Sequence, residues 1–158
     1  MPSSIKWHLV GHLQSNKVKY ILDLFELIHS VDSIPLAEEI QKRAERAGKI
    51  LNILIQINTS GERTKFGIPL DRAVPVVKEI SRLKNMNIMG LMTIPPYSEN
   101  PENSRVFYKM LKSVKMELLD ENIDLPELSM GMSNDYEVAI EEGATLVRVG
   151  TAIFGARG

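Results

Sequence analysis

Short apolar runs alternate along this chain with segments whose apolar residues have helical spacing, and this alternation constrains the fold more than any other feature. Six runs are predicted as strands, over residues 7–11, 27–31, 50–57, 88–94, 125–130 and 146–149. Five segments between them are predicted as helices, over residues 16–25, 34–48, 70–83, 103–122 and 135–142. Regular alternation of strand and helix predicts an α/β domain built on a parallel sheet.

Local signals support several of these elements. Residues 50–57 are almost continuously Leu and Ile, which is typical of a parallel strand covered on both faces. Gly48 is placed to cap the helix before it, and Pro75 is tolerable in its helix only near the first turn. For the helix over 103–122, the spacing predicts a buried face made of Val106, Met110, Leu111, Val114 and Leu118.

Two parallel architectures fit this pattern. A doubly wound open sheet needs about five or six strands and would be complete in 158 residues. A (β/α)₈ barrel needs eight strands and typically about 250 residues, so this chain would be two units short. Periodicity alone leaves both open. No linker or low-complexity segment divides the chain, and residues 1–158 are therefore predicted to form one domain.

The balanced composition gives no reason to expect nucleic acid or an anionic membrane as a partner. The chain has 19 basic and 20 acidic residues and a formal net charge of −1. With no cysteine and three scattered histidines, it has no disulfide or thiolate site, and no metal site is predicted. No signal pattern and no apolar run of about 18 residues is present, so the expected location is the cytoplasm.

Small and polar residues follow the last two predicted strands, where a parallel α/β fold places its ligand site. Backbone N–H groups and hydroxyls at such ends can surround a phosphate. The alternative is that these residues only cap helices. The candidates after the fifth and sixth strands are Ser129, Gly131, Met132, Ser133, Gly150 and Thr151.

Arg148 lies inside an apolar strand, where a charged side chain needs a partner. One interpretation is a salt bridge to Asp135 or Glu137. The other is that Arg148 faces a ligand beside the phosphate cup. His8 and His12 could flank the same site, although a structural role is equally compatible with the sequence.

Five segments resemble motifs of the pyridoxal phosphate homeostasis protein family. They occur in the family's order and cover essentially the whole chain. The segments are WHLVGHLQSNK at 7–17, QINTSGE at 56–62 with Lys65 and Gly67 after it, GLMTIP at 90–95, LSMGMSND at 128–135 and VRVGTAIFG at 147–155.

The resemblance implies a fold type III pyridoxal phosphate protein with an alanine-racemase-like (β/α)₈ barrel and no second domain. It implies a carrier or regulator of vitamin B6 rather than an enzyme, and it assigns no catalytic residue. By this resemblance, the phosphate is held by Ser129, Ser133, Gly150 and Thr151. Gly131 and Met132 then shape the phosphate loop, and Arg148 faces the pyridine nitrogen.

The family's cofactor lysine lies upstream of the WHFIGH-type motif, and no lysine of this chain matches it. The resemblance therefore implies an incomplete barrel of about six βα units, lacking the first two, that binds the cofactor non-covalently at most. An amino-acid racemase and a remnant that binds no cofactor are the alternatives. The family implies a monomer, whereas the strand edges of an open barrel favour self-association.

Overall fold

The computed structural model describes residues 4–156 of the chain. Its strands are β1 (His8–Leu9), β2 (Leu27–Val31), β3 (Leu51–Asn58), β4 (Ile68–Pro69), β5 (Met86–Met92), β6 (Glu127–Met132) and β7 (Leu146–Arg148). Its α-helices are α1 (Val18–Ile21), α2 (Ile34–Ala47), α3 (Ala73–Ile80), α4 (Arg105–Asp120), α5 (Tyr136–Glu141) and α6 (Thr151–Phe154). Short 3₁₀ turns at Ser15–Lys17, Leu70–Arg72 and Pro101–Ser104 precede α1, α3 and α4.

The strand order decides between the two predicted architectures. All strand pairs are parallel, and the sheet runs β1-β2-β3-β5-β6-β7, with the two-residue β4 attached to β3. A doubly wound sheet reverses its strand order at a switch point. This sheet adds each long strand beside the previous one, as the wall of a (β/α) barrel does. The prediction of an incomplete barrel is confirmed.

The helices cover one face of the sheet and bury most of its apolar side chains. Ile53 and Ile55 of β3 and Leu91 of β5 are fully buried against residues such as Ile40 of α2 and Leu111 of α4. This outer layer forms the principal core, as expected for a parallel sheet with helices packed against it.

The opposite face, which is the inner wall of the open barrel, carries a second and smaller apolar cluster. Its buried members are Leu27 of β2, Leu54 of β3 and Met92 of β5. Beyond this cluster, towards the carboxyl ends of the strands, the inner wall becomes polar with His29 and Ser129. The fold therefore places a polar layer at the end of the barrel where ligands of this architecture bind.

The structure confirms some local predictions and corrects others. Gly48 caps α2 with a left-handed backbone, φ +63°. Pro75 lies in the first turn of α3, because the preceding three residues form a 3₁₀ turn. The prediction that Val106 is buried is wrong: its side chain is 48% exposed, and Tyr108 is fully buried on the inward face of α4. Within residues 4–156, no helix is long and apolar enough to cross a membrane.

Candidate functional site

A pocket of about 1010 Å³ opens at the carboxyl ends of β1, β2, β6 and β7. Its polar lining includes His8 and His29 beside residues predicted from the sequence. Five of the seven predicted site residues line it, namely Met132, Ser133, Arg148, Gly150 and Thr151. Ser129 and Gly131 lie behind the surface of the pocket, where they support residues that reach it.

The loop between β6 and α5 is held in shape by Gly131 and Asp135. Gly131 has φ +99°, and a Cβ atom there would lie 2.6 Å from the Cβ of Ala139, so glycine is required. The Asp135 carboxylate accepts a hydrogen bond from the N–H of Met132 at 2.7 Å and one from the Ser104 hydroxyl at 2.7 Å. These contacts fix the direction in which Ser133 leaves the sheet.

Ser133 joins this loop to the start of α6. Its Oγ accepts hydrogen bonds from the N–H of Gly150 at 3.0 Å and from the N–H of Ala152 at 3.2 Å. A bound anion could accept hydrogen bonds from the same two amides. Gly150 and Thr151 are exposed to solvent beside Ser133. The geometry thus brings together one hydroxyl and the first amides of α6 at the rim of the pocket.

Arg148 lies at the end of β7, where its half-buried side chain has no counter-ion among residues 4–156. Nη1 donates to Ser129 Oγ at 2.5 Å, and Nη2 donates to the carbonyl oxygen of Thr93 at 2.8 Å. Nε is buried and has no hydrogen-bond partner within the part of the chain that the structure describes. Burial lowers the pKa of Arg148 to about 10, with Tyr108 and Asp135 acting in the opposite direction, so the group stays charged at neutral pH.

Among the described residues, no carboxylate lies within ion-pair distance of Arg148. Neither Asp135 nor Glu137 is therefore its partner, and the salt-bridge interpretation is wrong. Asp135 instead bonds to the N–H of Met132 and to Ser104. A buried charge without a counter-ion is costly in free energy, which makes a ligand-directed role the better explanation of Arg148.

A chain of hydrogen bonds crosses the inner wall and ends at Arg148. His8 Nδ1 lies 3.0 Å from His29 Nε2, and His29 Nδ1 lies 2.8 Å from Ser129 Oγ. His29 and Ser129 are almost completely buried, with 2% and 0% of their surface exposed. The bond joins β2 to β6 although β3 and β5 lie between them. His29 was not predicted as a site residue from the sequence. The one signal for it was that a polar residue lies at the centre of an apolar strand.

The surroundings of His29 make the neutral imidazole the stable form. Burial is the main cause, and His8 and Arg148 add to it, so that the pKa falls from 6.5 to about 4. Between these two values the unfolded chain binds a proton that the folded chain does not bind. Lowering the pH through this window therefore favours unfolding.

This pKa difference predicts a loss of stability in mild acid. We expect the free energy of unfolding to fall between pH 6.5 and pH 4, by roughly 3 kcal/mol at most from this residue. Urea titrations at a series of pH values measure it. His29→Asn, which removes the titrating group, should flatten the profile over this window. An unchanged slope in that variant would contradict a buried neutral histidine.

The other candidate side chains lie elsewhere. His12 Nδ1 is 3.3 Å from Asp32 Oδ2, and its ring stacks on Phe66 with centroids 3.8 Å apart, outside the lining of the pocket. Burial raises the pKa of Asp32. Lys17 and Lys65 do not line the pocket, and no lysine of residues 4–156 does. The described residues also hold no group of three or more potential metal ligands.

Comparison with known proteins now identifies the family. The family model "Alanine racemase, N-terminal domain" matches residues 3–158. The pyridoxal phosphate homeostasis protein of Aquifex aeolicus is 49% identical over 154 residues, which are 97% of this chain and 68% of that protein. The chain belongs to the pyridoxal phosphate homeostasis protein family. The family that the five motifs indicated is confirmed.

Further members of the pyridoxal phosphate homeostasis protein family show the same extent of match. The human member is 39% identical over 163 residues, which cover 97% of this chain and 59% of that protein. The members from Vibrio alginolyticus and Pseudomonas aeruginosa are 39% and 40% identical. The chain spans about two thirds of the length of these bacterial relatives, 65–68%.

Solved structures agree with the fold. PipY of Synechococcus elongatus, solved with pyridoxal phosphate (PLP) bound, is 34% identical with a TM-score of 0.88, covering 98% of this chain and 72% of PipY. Alanine racemase of Clostridium difficile is 15% identical with a TM-score of 0.79, covering 99% of this chain and 41% of the racemase. At that identity the racemase supports the barrel fold alone. The relatives from Aquifex aeolicus, human, Vibrio alginolyticus and Pseudomonas aeruginosa all have the name pyridoxal phosphate homeostasis protein, which is the family that the motifs resemble.

Proposed function

We propose that this chain binds pyridoxal 5′-phosphate without a covalent bond and acts as a carrier or regulator of vitamin B6. The observation that carries the proposal is one pocket with a hydroxyl-and-amide cluster at its rim and a half-buried arginine that has no carboxylate partner among residues 4–156. A phosphorylated aromatic ring with a basic nitrogen has the two features that these groups recognise. PipY, a relative solved with PLP bound, supports the same assignment.

The phosphate end of the ligand fits the segment that joins β6 to α6. Ser133, Gly150 and Thr151 supply a hydroxyl, exposed main-chain N–H groups and a second hydroxyl. Gly131 and Met132 shape the loop that presents Ser133. The backbone conformation at position 131 requires a glycine, and the Met132 N–H donates a hydrogen bond to Asp135. In the proposal, phosphate oxygens replace Ser133 Oγ as acceptors of the hydrogen bonds from the Gly150 and Ala152 amides, and the Ser133 hydroxyl donates its proton to the phosphate.

The ring nitrogen of the ligand fits Arg148. Each Nη atom uses one of its two N–H groups on a protein oxygen, so the second N–H of each Nη and the Nε–H have no partner among residues 4–156 and are the donors available to a ligand atom. A charged arginine at this position keeps the pyridine nitrogen unprotonated, since a second positive charge beside it is unfavourable. The cofactor's own chemistry is that of an electron sink, and an unprotonated nitrogen makes that sink weaker. Such a site is better suited to holding the cofactor than to catalysis that needs a strong electron sink.

Ser129 takes a supporting role in this proposal. The resemblance placed it among the phosphate ligands, but its hydroxyl is fully buried and bonded to Arg148 and His29. A hydroxyl with these partners is better placed to orient Arg148 than to reach a phosphate at the rim. Ser129 therefore contributes to the ring end of the site.

We also propose a domain organisation, a location, an oligomeric state and a type of binding for this protein. In the proposal, residues 1–158 form one domain that works in the cytoplasm; the family implies a monomer, and the open strand edges favour self-association. Binding is non-covalent because the pocket is lined by no lysine from residues 4–156. The name shared by the curated relatives supports a homeostatic role over amino-acid racemisation. Measurable racemisation of alanine by this chain would contradict the carrier role.

Ser133→Ala tests the phosphate end. We expect the affinity for PLP to fall about tenfold to a hundredfold, because a hydrogen bond to a charged group contributes roughly 1.5–3 kcal/mol. Affinity for pyridoxal, which lacks the phosphate, should stay the same. Equilibrium dialysis measures both. Ser113→Ala, which removes an exposed hydroxyl on α4, is the matched control. Equal losses for the two ligands would contradict a phosphate contact at Ser133.

A further inference from the structure

The hydrogen-bond chain behind Arg148 allows the proton positions to be assigned. Ser129 Oγ lies within hydrogen-bond distance of Arg148 Nη1 and His29 Nδ1. A guanidinium group can only donate, so Arg148 uses one lone pair of the hydroxyl oxygen. The hydroxyl hydrogen is fully buried and needs an acceptor, and among the described residues His29 Nδ1, 2.8 Å away, is the acceptor within reach.

This assignment selects one tautomer of each histidine. If His29 Nδ1 accepts from Ser129, its proton is on Nε2, and Nε2–H donates to His8 Nδ1 at 3.0 Å. His8 then carries its own proton on Nε2. Every buried polar atom from His8 to Ser129 is satisfied in this arrangement. The reverse direction would leave the Ser129 hydroxyl hydrogen without an acceptor.

The direction of the chain matters for Arg148. A serine hydroxyl alone rotates freely, and its lone pairs have no fixed direction. Because His29 takes the hydroxyl hydrogen, a lone pair of Ser129 is turned towards Nη1. Together with the Thr93 carbonyl at Nη2, this anchor fixes the plane of the guanidinium group and therefore the directions of its remaining N–H groups.

We propose that His29 is a positioning residue, which acts through Ser129 to hold Arg148 in the orientation that meets the ring nitrogen of the ligand. The Ser129 hydroxyl lies between His29 and Arg148, so His29 itself does not contact the ligand. The inference rests on the proposed binding of PLP. It adds a residue on β2 to a site that the motifs placed on the strand ends of β6 and β7, and it explains why a neutral histidine is buried beside an arginine.

The contact between His29 and Ser129 can be tested without any ligand. Long-range ¹H–¹⁵N correlation spectra of the histidine side chains report which ring nitrogen carries the proton. The inference requires the Nε2–H tautomer for His29 in the unmodified chain, and loss of its Ser129 contact in Ser129→Ala. An Nδ1–H tautomer of His29 would overturn it.

The role towards the ligand is tested by comparing PLP with 1-deaza pyridoxal phosphate, a neutral analogue in which a C–H group replaces the ring nitrogen and cannot accept a hydrogen bond. The unmodified chain should bind PLP about ten- to a hundredfold more tightly than the deaza compound. His29→Leu and Ser129→Ala should each reduce this ratio at least fivefold. His29→Asn should keep this ratio. The asparagine Oδ1 is bonded to Cγ, as the histidine Nδ1 is, and can accept the hydrogen bond from Ser129 in its place.

The outcomes separate this inference from the function on which it rests. A ratio that is unchanged in both His29→Leu and Ser129→Ala, with PLP still bound by the unmodified chain, overturns the inference alone. An unmodified chain that binds PLP and its deaza analogue equally overturns the role of Arg148. An unmodified chain that binds neither compound overturns the proposed function and this inference with it. If His29→Leu does not fold, Ser129→Ala and the tautomer spectra decide.

Discussion

Gly131→Ala should destabilise the chain by about 3 kcal/mol or more and abolish tight binding of PLP. Two effects add together at this position. The backbone has φ +99°, a strained conformation for alanine, and the new Cβ would lie 2.6 Å from the Cβ of Ala139 and 3.0 Å from the Cα of Tyr136. Relief of this clash must separate residue 131 from α5, which displaces the segment that carries Ser133. Urea unfolding and equilibrium dialysis measure the two losses.

Gly143→Ala is the matched control for this prediction. Gly143 has nearly the same backbone angle, φ +101°, but no atom lies within 4 Å of the position of its Cβ. Alanine there should cost only the backbone strain, about 1–2 kcal/mol, and should leave PLP affinity unchanged. If the two variants lost the same stability and the same affinity, the close packing of the phosphate loop against α5 would not be what Gly131 provides.

Arg148→Met should separate stability from binding. Methionine has a similar length and no charge, so it removes the buried cation that has no carboxylate partner, while leaving the Thr93 carbonyl and Ser129 without their donor. These effects oppose each other, and we expect the free energy of unfolding to change by less than about 1.5 kcal/mol. PLP affinity should fall about tenfold to a hundredfold, because a charge-assisted hydrogen bond to the ligand is lost.

Arg148→Lys distinguishes the geometry of the arginine from its charge. Lysine keeps the positive charge but cannot bond to Ser129, to Thr93 and to a ligand in one plane. We therefore expect Arg148→Lys to bind PLP almost as weakly as Arg148→Met does. Fluorescence or absorbance titration of the three proteins makes the comparison. Full affinity in Arg148→Lys would mean that Arg148 acts only as a nearby positive charge.

The sequence predicted the parts of this molecule that local patterns determine. Leu27–Val31 was predicted with the bounds that the structure has, and the left-handed cap at Gly48 followed from its position after an amphipathic helix. The cluster at Ser133, Gly150 and Thr151 followed from the general rule that parallel strands present ligand sites at their carboxyl ends. These features depend on residues close together in the chain or on a property of the whole architecture.

Contacts between distant segments could not be predicted in the same way. His29 and Ser129 are 100 positions apart and lie on strands that are not neighbours, so nothing near either residue indicates their hydrogen bond. The same limit applies to Arg148, for which the nearby carboxylates Asp135 and Glu137 were plausible partners until the fold placed it beside Ser129 and Thr93. Val106 was misplaced because α4 presents Tyr108 to the core near its first turn.

We expect this chain to hold PLP by its phosphate and by its ring nitrogen. The most direct test is equilibrium dialysis of the unmodified chain with PLP and with pyridoxal, followed by borohydride reduction and peptide mapping. We expect one saturable site for PLP that inorganic phosphate competes for, at least tenfold weaker binding of pyridoxal, and no reduced adduct concentrated on one lysine. Equal affinity for the two compounds, or an adduct at a single lysine, would contradict the claim.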